Sequence, residues 1–462
     1  MLLSVIDYIA IVIFSLLLGL IISSTIYDLY MERNLCRPLF NKSWYNSTIT
    51  SNRFSDEPTT LYLAFSLHRN YSDLLKIEPP SSKTIECFYG LRALAVFWVV
   101  AGHRLWKHFS EEPLKYTGPF SEFVTKVVWN NKYAAEVFFL MAGILVTLST
   151  LKALDEKRVN LLKMYIGRYG RYMPTLAAIL LFIMSSFPAL LVDGYLKKYF
   201  ESRTEPCHKY WWSSLLLVQT YVNPTAVCIR PTWYLSADFH LFVLSPAFIF
   251  TVWKLKYKAF LLFATVILAN QIGIFVASYY DTVPNDLIYY QTHFRIGQFL
   301  VGIALGYIMH ERKGKHHMRK RTQCIGWIVT ILVFVSIEVI HKLYQEQRFV
   351  KSLYSSVGRL AWTVLTSWAI FVCHHLKSGG VVNWCLSHPV WQPIAKMSMS
   401  IYLIHEVYQS LTVANMEAAL SLNSAWMIHI IGGDIIASIV FGAVVYCVIE
   451  APSIVILKCL LK

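Results

Sequence analysis

The stretch Phe88-Tyr89-Gly90-Leu91-Arg92-Ala93-Leu94-Ala95-Val96-Phe97-Trp98-Val99-Val100-Ala101-Gly102-His103-Arg104-Leu105-Trp106 decides the fold. It is apolar and long enough to cross a bilayer as one helix, yet it carries Arg92 and His103. Ionisable groups in a spanning helix are costly and are usually kept for chemistry or for a polar pathway. The two residues are 11 positions apart. That is close to three helical turns, so both side chains point to one face, roughly 16 Å apart along the axis. A cation near one membrane surface and an imidazole deeper in suit a substrate with a charged head and a reactive end.

The rest of the chain extends the same pattern. Of 462 residues 56% are hydrophobic and 15% charged, with no long polar block, which argues for a multi-pass membrane protein. Spanning helices are read at about 6–28, 88–107, 133–153, 172–192, 232–253, 259–279, 294–310, 323–342, 355–375, 397–414 and 427–449. The fold class is thus an all-α polytopic bundle of about eleven spans. The net charge of +15 fits Lys and Arg concentrated in cytoplasmic loops. No soluble basic face forms, so no nucleic-acid partner is expected. The basic run Glu311 to Arg321, the lysines 254, 256 and 258, the 152–171 region and the tail with Lys458 and Lys462 all fall on one side. This orientation puts the N-terminus outside and the C-terminus in the cytoplasm. Residues 1–58 read as an anchor helix with a cytoplasmic linker, and 59–462 as the membrane domain. The sequons at Asn41, Asn46 and Asn70 then stay unmodified. The segment 193–231 faces the lumen or exterior, where Cys207 and Cys228 can pair as a disulfide or remain two free thiols. The nine cysteines show no zinc-ligand spacing, and Cys373, His374, His375, Cys385 and His388 match no standard metal site.

Several polar groups share the membrane with Arg92 and His103. His103 suits proton transfer near neutral pH, and such a base commonly contributes about 10²–10⁴-fold. The alternative is a histidine hydrogen-bonded to a neighbouring helix. Glu136 opens the next span and can approach His103 in depth, where it would orient the imidazole; otherwise it snorkels to water. Asp238 lies about a turn and a half inside its span and either pairs with a cation or stays protonated; Arg295, at similar depth, can be that cation or can snorkel to the interface. His240 is a weaker candidate. His405 sits mid-span beside Glu406; adjacent residues face different ways, so His405 alone is taken as functional. Arg168 and Arg171, three apart at a helix start, can hold phosphate or simply serve as loop charge.

Together these residues carry a resemblance. Arg92 with ten residues before His103, the Phe138 to Gly143 run, Arg168 to Pro174, Arg230 to Asp238, Arg295-Ile296-Gly297, Tyr402 to His405 and Glu450-Ala451-Pro452 occur in order over about residues 60–455. The chain resembles the acyltransferase type 3 family, in its animal branch called nose resistant to fluoxetine. The resemblance implies transfer of an acyl group from cytosolic acyl-CoA to a hydroxyl-bearing acceptor in the membrane or beyond it, with no permanently bound cofactor. It makes His103 the catalytic base, with Glu136, Asp238 and His405 as companions. Arg92, Arg168, Arg171 and, with them, Arg295 would hold the CoA. Membrane lipids and the acceptor are the other partners, in the endoplasmic reticulum or plasma membrane. A non-enzymatic transporter or binder of lipids or hydrophobic molecules on the same scaffold is the rival reading. The chain departs from the branch in carrying Glu136 where aspartate is usual and Ala142 where serine is usual. The branch also commonly carries an extracellular cysteine-rich domain, which these 462 residues do not contain, so partners recruited by it lie outside this reading.

Overall fold

The computed structural model describes residues 4–36, 58–79, 84–111, 128, 130–193, 197–312, 319–344, 346–375, 380–415 and 424–461. These residues form helices and no strand. The helices of nine residues or more, in chain order, are α1 Val5–Cys36, α2 Leu67–Leu75, α3 Cys87–Glu111, α4 Lys132–Asp155, α5 Leu161–Met184, α6 Lys197–Leu215, α7 Thr232–Leu255, α8 Ala259–Tyr279, α9 Ile296–Arg312, α10 Lys320–Leu343, α11 Arg348–His375, α12 Ser398–Ala414, α13 Ser424–Val445 and α14 Ala451–Leu460.

Six segments among the described residues are long and apolar enough to cross a membrane: 5–34, 132–155, 232–279, 320–343, 348–374 and 426–460. The longest of these joins α7 to α8 across a short 3₁₀ turn at Lys256–Lys258. The remaining expected spans also lie on helices, but α9 and α12 have only 17 residues each, and α5 carries Lys163, Arg168 and Arg171 within its length. The boundary of α5 differs from the expected 172–192. The helix starts at Leu161, where the Asn160 side chain accepts from Lys163 N at 2.9 Å, and ends at Met184. The N-cap satisfies a backbone donor, so the helix begins there rather than at the first apolar run.

Apolar packing sets the bundle. Val96 and Val100 of α3, Leu140 and Ile144 of α4, Leu176 and Ile179 of α5, Leu235 of α7, Leu305 of α9, and Ile401 and Leu403 of α12 share one buried cluster. Helices α4 and α9 approach one another closely. A Cβ on Gly143 would lie 2.6 Å from Phe299 O, and one on Gly302 would lie 2.5 Å from Leu140 O. Glycine at both positions lets the two backbones touch, a common device between membrane helices. The opposite extreme is α10, which buries none of its side chains and presents Ile325, Ile328 and Leu332 outward. A helix that apolar and that bare needs a lipid phase to cover it. The chain is an integral membrane protein.

The first helix is tied to the bundle near both ends. Asp7 accepts from Ser186 N at 2.5 Å, and Asp28 accepts from Arg69 Nη2 and Ser66 Oγ, each at 2.7 Å. Asn70 is buried, and its amide donates to Ala64 O and Cys447 O, each at 2.9 Å. Asn41 and Asn46 lie outside the described residues. Cys207 and Cys228 are joined as a disulfide.

Candidate functional site

The side chains of α3 and α12 meet at His103. Its Nδ1 lies 3.0 Å from His405 Nε2 and 3.3 Å from Glu406 Oε2. The two rings are 5.1 Å apart between centroids. His405 is fully buried, whereas the His103 side chain keeps 25% exposure. Hydrogen bonding assigns the tautomers. His405 Nδ1 is 3.2 Å from Ile401 O, and a carbonyl can only accept, so the proton of His405 is on Nδ1. Its Nε2 is then an acceptor and takes the Nδ1–H of His103. The lone pair of His103 is left on Nε2, the arrangement a general base requires. Glu406 stands where it can steady the charge that forms when Nε2 gains a proton. Sequence spacing favours His405 over Glu406, because adjacent residues diverge on a helix. Both reach His103 because its ring sits between their two directions.

About three turns along the same helix is a guanidinium group of another cluster. Arg92 lies within electrostatic reach of Arg171, Arg168, Tyr172 and Tyr234. Arg168 Nη2 donates to Asp238 Oδ2 at 2.5 Å, and Tyr172 OH donates to the same oxygen at 2.6 Å. Asp238 is therefore paired with Arg168, not with Arg295 as depth alone suggested. Glu450 accepts from Ser400 Oγ at 2.6 Å and feels the charges of Arg171 and Arg92. Counted as ionised, three guanidinium groups face two carboxylates, which leaves one positive charge, and Arg171 is exposed. An aromatic run connects the two clusters. Ring centroids are 5.8 Å apart from Tyr234 to Tyr402 and 5.9 Å from Tyr402 to His405.

The structure separates Glu136 and Arg295 from both clusters. Fully buried Arg295 donates to fully buried Glu136 and to Tyr289 O. The expected Glu136–His103 contact is not found among the described residues. Equal depth fixes one coordinate only, and a full positive charge outcompetes a neutral imidazole for a buried carboxylate. His240 also lies elsewhere, with Nδ1 3.0 Å from Thr292 Oγ1. Next to His103, Arg104 is buried and donates to Asp434 Oδ1 at 2.5 Å and to Thr412 Oγ1 at 2.7 Å. Gln409 Nε2 donates to Val100 O at 2.9 Å and to Asp434 Oδ2 at 2.8 Å. Arg104 thus fixes the rotation of α3 about its axis by a bond pointing away from His103. Asp434 stands alone in an apolar run, Ile435 and Ile436 after it and Gly432 and Gly433 before it, and the cost of such a carboxylate is the signal that marks it in sequence.

A family model described as an acyltransferase domain, of the acyltransferase type 3 kind, matches residues 85–455. The chain belongs to the acyltransferase type 3 family. The match begins just before α3 and ends at the start of α14, so it covers every residue of the two clusters. Nose resistant to fluoxetine protein 6 of Caenorhabditis elegans is 24% identical, over 84% of this acyltransferase type 3 chain and 51% of its own length. Regulator of hypoxia-inducible factor 1 of the same organism is 20% identical, over 86% of this chain and 84% of its own. A Staphylococcus aureus (strain COL) protein, provisionally named an O-acetyltransferase, is 21% identical over 79% of this chain and 56% of its own. The chain therefore spans about half the length of the first and the third of these relatives. No solved structure matches it significantly.

Proposed function

We propose that the protein moves an acyl group from acyl-CoA, bound from the cytoplasmic side, to a hydroxyl-bearing acceptor in the membrane or on its far side. The observation that carries this reading is that α3 takes part in both groups, through His103 beside His405 and Glu406 and through Arg92 in the arginine cluster eleven residues earlier. The spacing is roughly 16 Å, which a pantetheine arm spans. Arg92, Arg168 and Arg171 hold the phosphates of the donor, where planar guanidinium groups bind in pairs. The arm runs past Tyr234 and Tyr402, which brings the thioester to His103. His103 Nε2 takes the proton of the acceptor hydroxyl as its oxygen attacks the thioester carbon. The carbon–sulfur bond breaks, and the CoA thiolate leaves with the proton returned from the imidazolium. His405 holds the tautomer, and Glu406 offsets the transient positive charge, as a carboxylate does for a catalytic histidine elsewhere. Glu136 and Asp238 act at a distance here, by holding Arg295 and Arg168. The protein works in the endoplasmic reticulum or the plasma membrane, with eleven spans and a cytoplasmic C-terminus.

The test is acyl-CoA turnover by purified protein. His103→Ala should lower it by at least about 10²-fold with the fold intact. Arg92→Ala should raise the KM for acyl-CoA more than it lowers kcat. Lipid movement without turnover, unchanged in His103→Ala, would instead establish a non-enzymatic carrier.

A further inference from the structure

The same three side chains have the arrangement of a metal site, although nothing in their sequence spacing suggests one. We propose that His103, His405 and Glu406 bind one Zn²⁺ ion, and that the bound ion switches the base off. The switch rests on the reading of His103 as the base; the binding does not.

His103 Nδ1, His405 Nε2 and the Glu406 carboxylate all lie within 4.8 Å of one another. Nδ1 is 3.0 Å from the second nitrogen and 3.3 Å from the carboxylate oxygen. A tetrahedral zinc ion about 2.0–2.1 Å from each ligand holds neighbouring ligands roughly 3.3–3.4 Å apart. The two pairs that share His103 Nδ1 are within a few tenths of an ångström of that spacing, and the His405–Glu406 pair, within 4.8 Å, closes by rotation of the Glu406 side chain. Two imidazoles and one carboxylate suit zinc, whereas magnesium and calcium take oxygen ligands. Ligating histidines usually donate their other N–H to a carbonyl or carboxylate, and His405 Nδ1 already does so, to Ile401 O at 3.2 Å. Three protein ligands leave a fourth position for water. The His103 side chain keeps 25% exposure, so the site is not sealed by the protein's own atoms.

Zinc and the active base exclude each other. The two nitrogens aimed at each other share a proton in the free protein. Zinc replaces that proton on Nδ1, and a neutral imidazole then carries its proton on Nε2. The Nδ1–H bond breaks as an N–H bond forms at Nε2, so the ring stays neutral, no net proton is released and no oxidant is needed. The atom that would accept the acceptor's proton is now occupied.

The experiment uses the full chain in detergent, stripped with a chelator and titrated with Zn²⁺ under calorimetry, with bound metal measured by elemental analysis. One tight site per chain is expected, with affinity weakened about tenfold or more in both His405→Ala and Glu406→Gln. Glu406→Gln keeps the side-chain volume and guards against misfolding of the alanine variant. Acyl-CoA turnover should fall in step with occupancy and return with chelator. Absence of binding, or binding unaltered in both variants, overturns the site. Turnover that rises with zinc overturns the switch. A chain that turns over no acyl-CoA removes the switch together with the acyltransferase reading, while the titration still decides the site.

Discussion

At the scale of single residues, the site separates holding from reacting. Glu406→Gln leaves the arginine cluster untouched, so kcat should fall at least about tenfold, about 1.4 kcal/mol of barrier, while the KM for acyl-CoA stays close to that of the parent. Equal changes in both constants would place Glu406 outside the chemistry. Asp434→Ala is a different case. It strands the buried Arg104 guanidinium, and breaking such a pair typically costs about 3–5 kcal/mol. A lowered melting temperature, with Asp434→Asn milder, is the expected result. The chemistry was partly legible in the residues themselves. Arg92, His103, Asp238 and His405 stand out because each is an ionisable group in an apolar run. Their partners were not legible. A sequence gives the depth of a side chain along its helix but not the direction in which neighbouring helices lie. Asp238 was therefore matched to Arg295 and Glu136 to His103, where the structure pairs Asp238 with Arg168 and Glu136 with Arg295.

At the scale of elements, the site depends on how closely helices approach. The seam of α4 and α9 places Glu136 against Arg295, and glycine makes that seam possible. Gly302→Val puts a branched side chain against Leu140 O, so the helices must part, at a cost of about 1–3 kcal/mol. Thermal unfolding of the detergent-purified variant checks this, and an unchanged midpoint would show that the seam yields. Helix positions were readable from apolar runs of spanning length, and each expected span falls on a helix. The start of α5 was not, since a capping asparagine and a basic first half look like loop in a hydropathy reading. The ties from Asp7 and Asp28 were also hidden. Acidic residues near a first span read as topology signals, and only the fold shows that Ser186 and Arg69 meet them.

At the scale of the whole molecule, repeated apolar runs of spanning length with no long polar block make a helical membrane protein legible in the sequence. The disulfide was legible as one of two outcomes for Cys207 and Cys228, and the structure joins them. Its loop has a sequence separation of 21, and the chain-entropy model gives such a bridge roughly 3 kcal/mol. Cys207→Ser should therefore lower yield and melting temperature together, and equal values in both would remove its structural importance. The buried Asn70 has a practical consequence for mapping the loops. Glycan attachment is a common reporter of which side of a bilayer a loop occupies, but the amide of this sequon is spent on two backbone carbonyls inside the bundle. The folded chain has no room for a sugar there in either compartment. A bare Asn70 is compatible with both orientations, so epitope tags or engineered acceptor sites in exposed loops are the reporters to use.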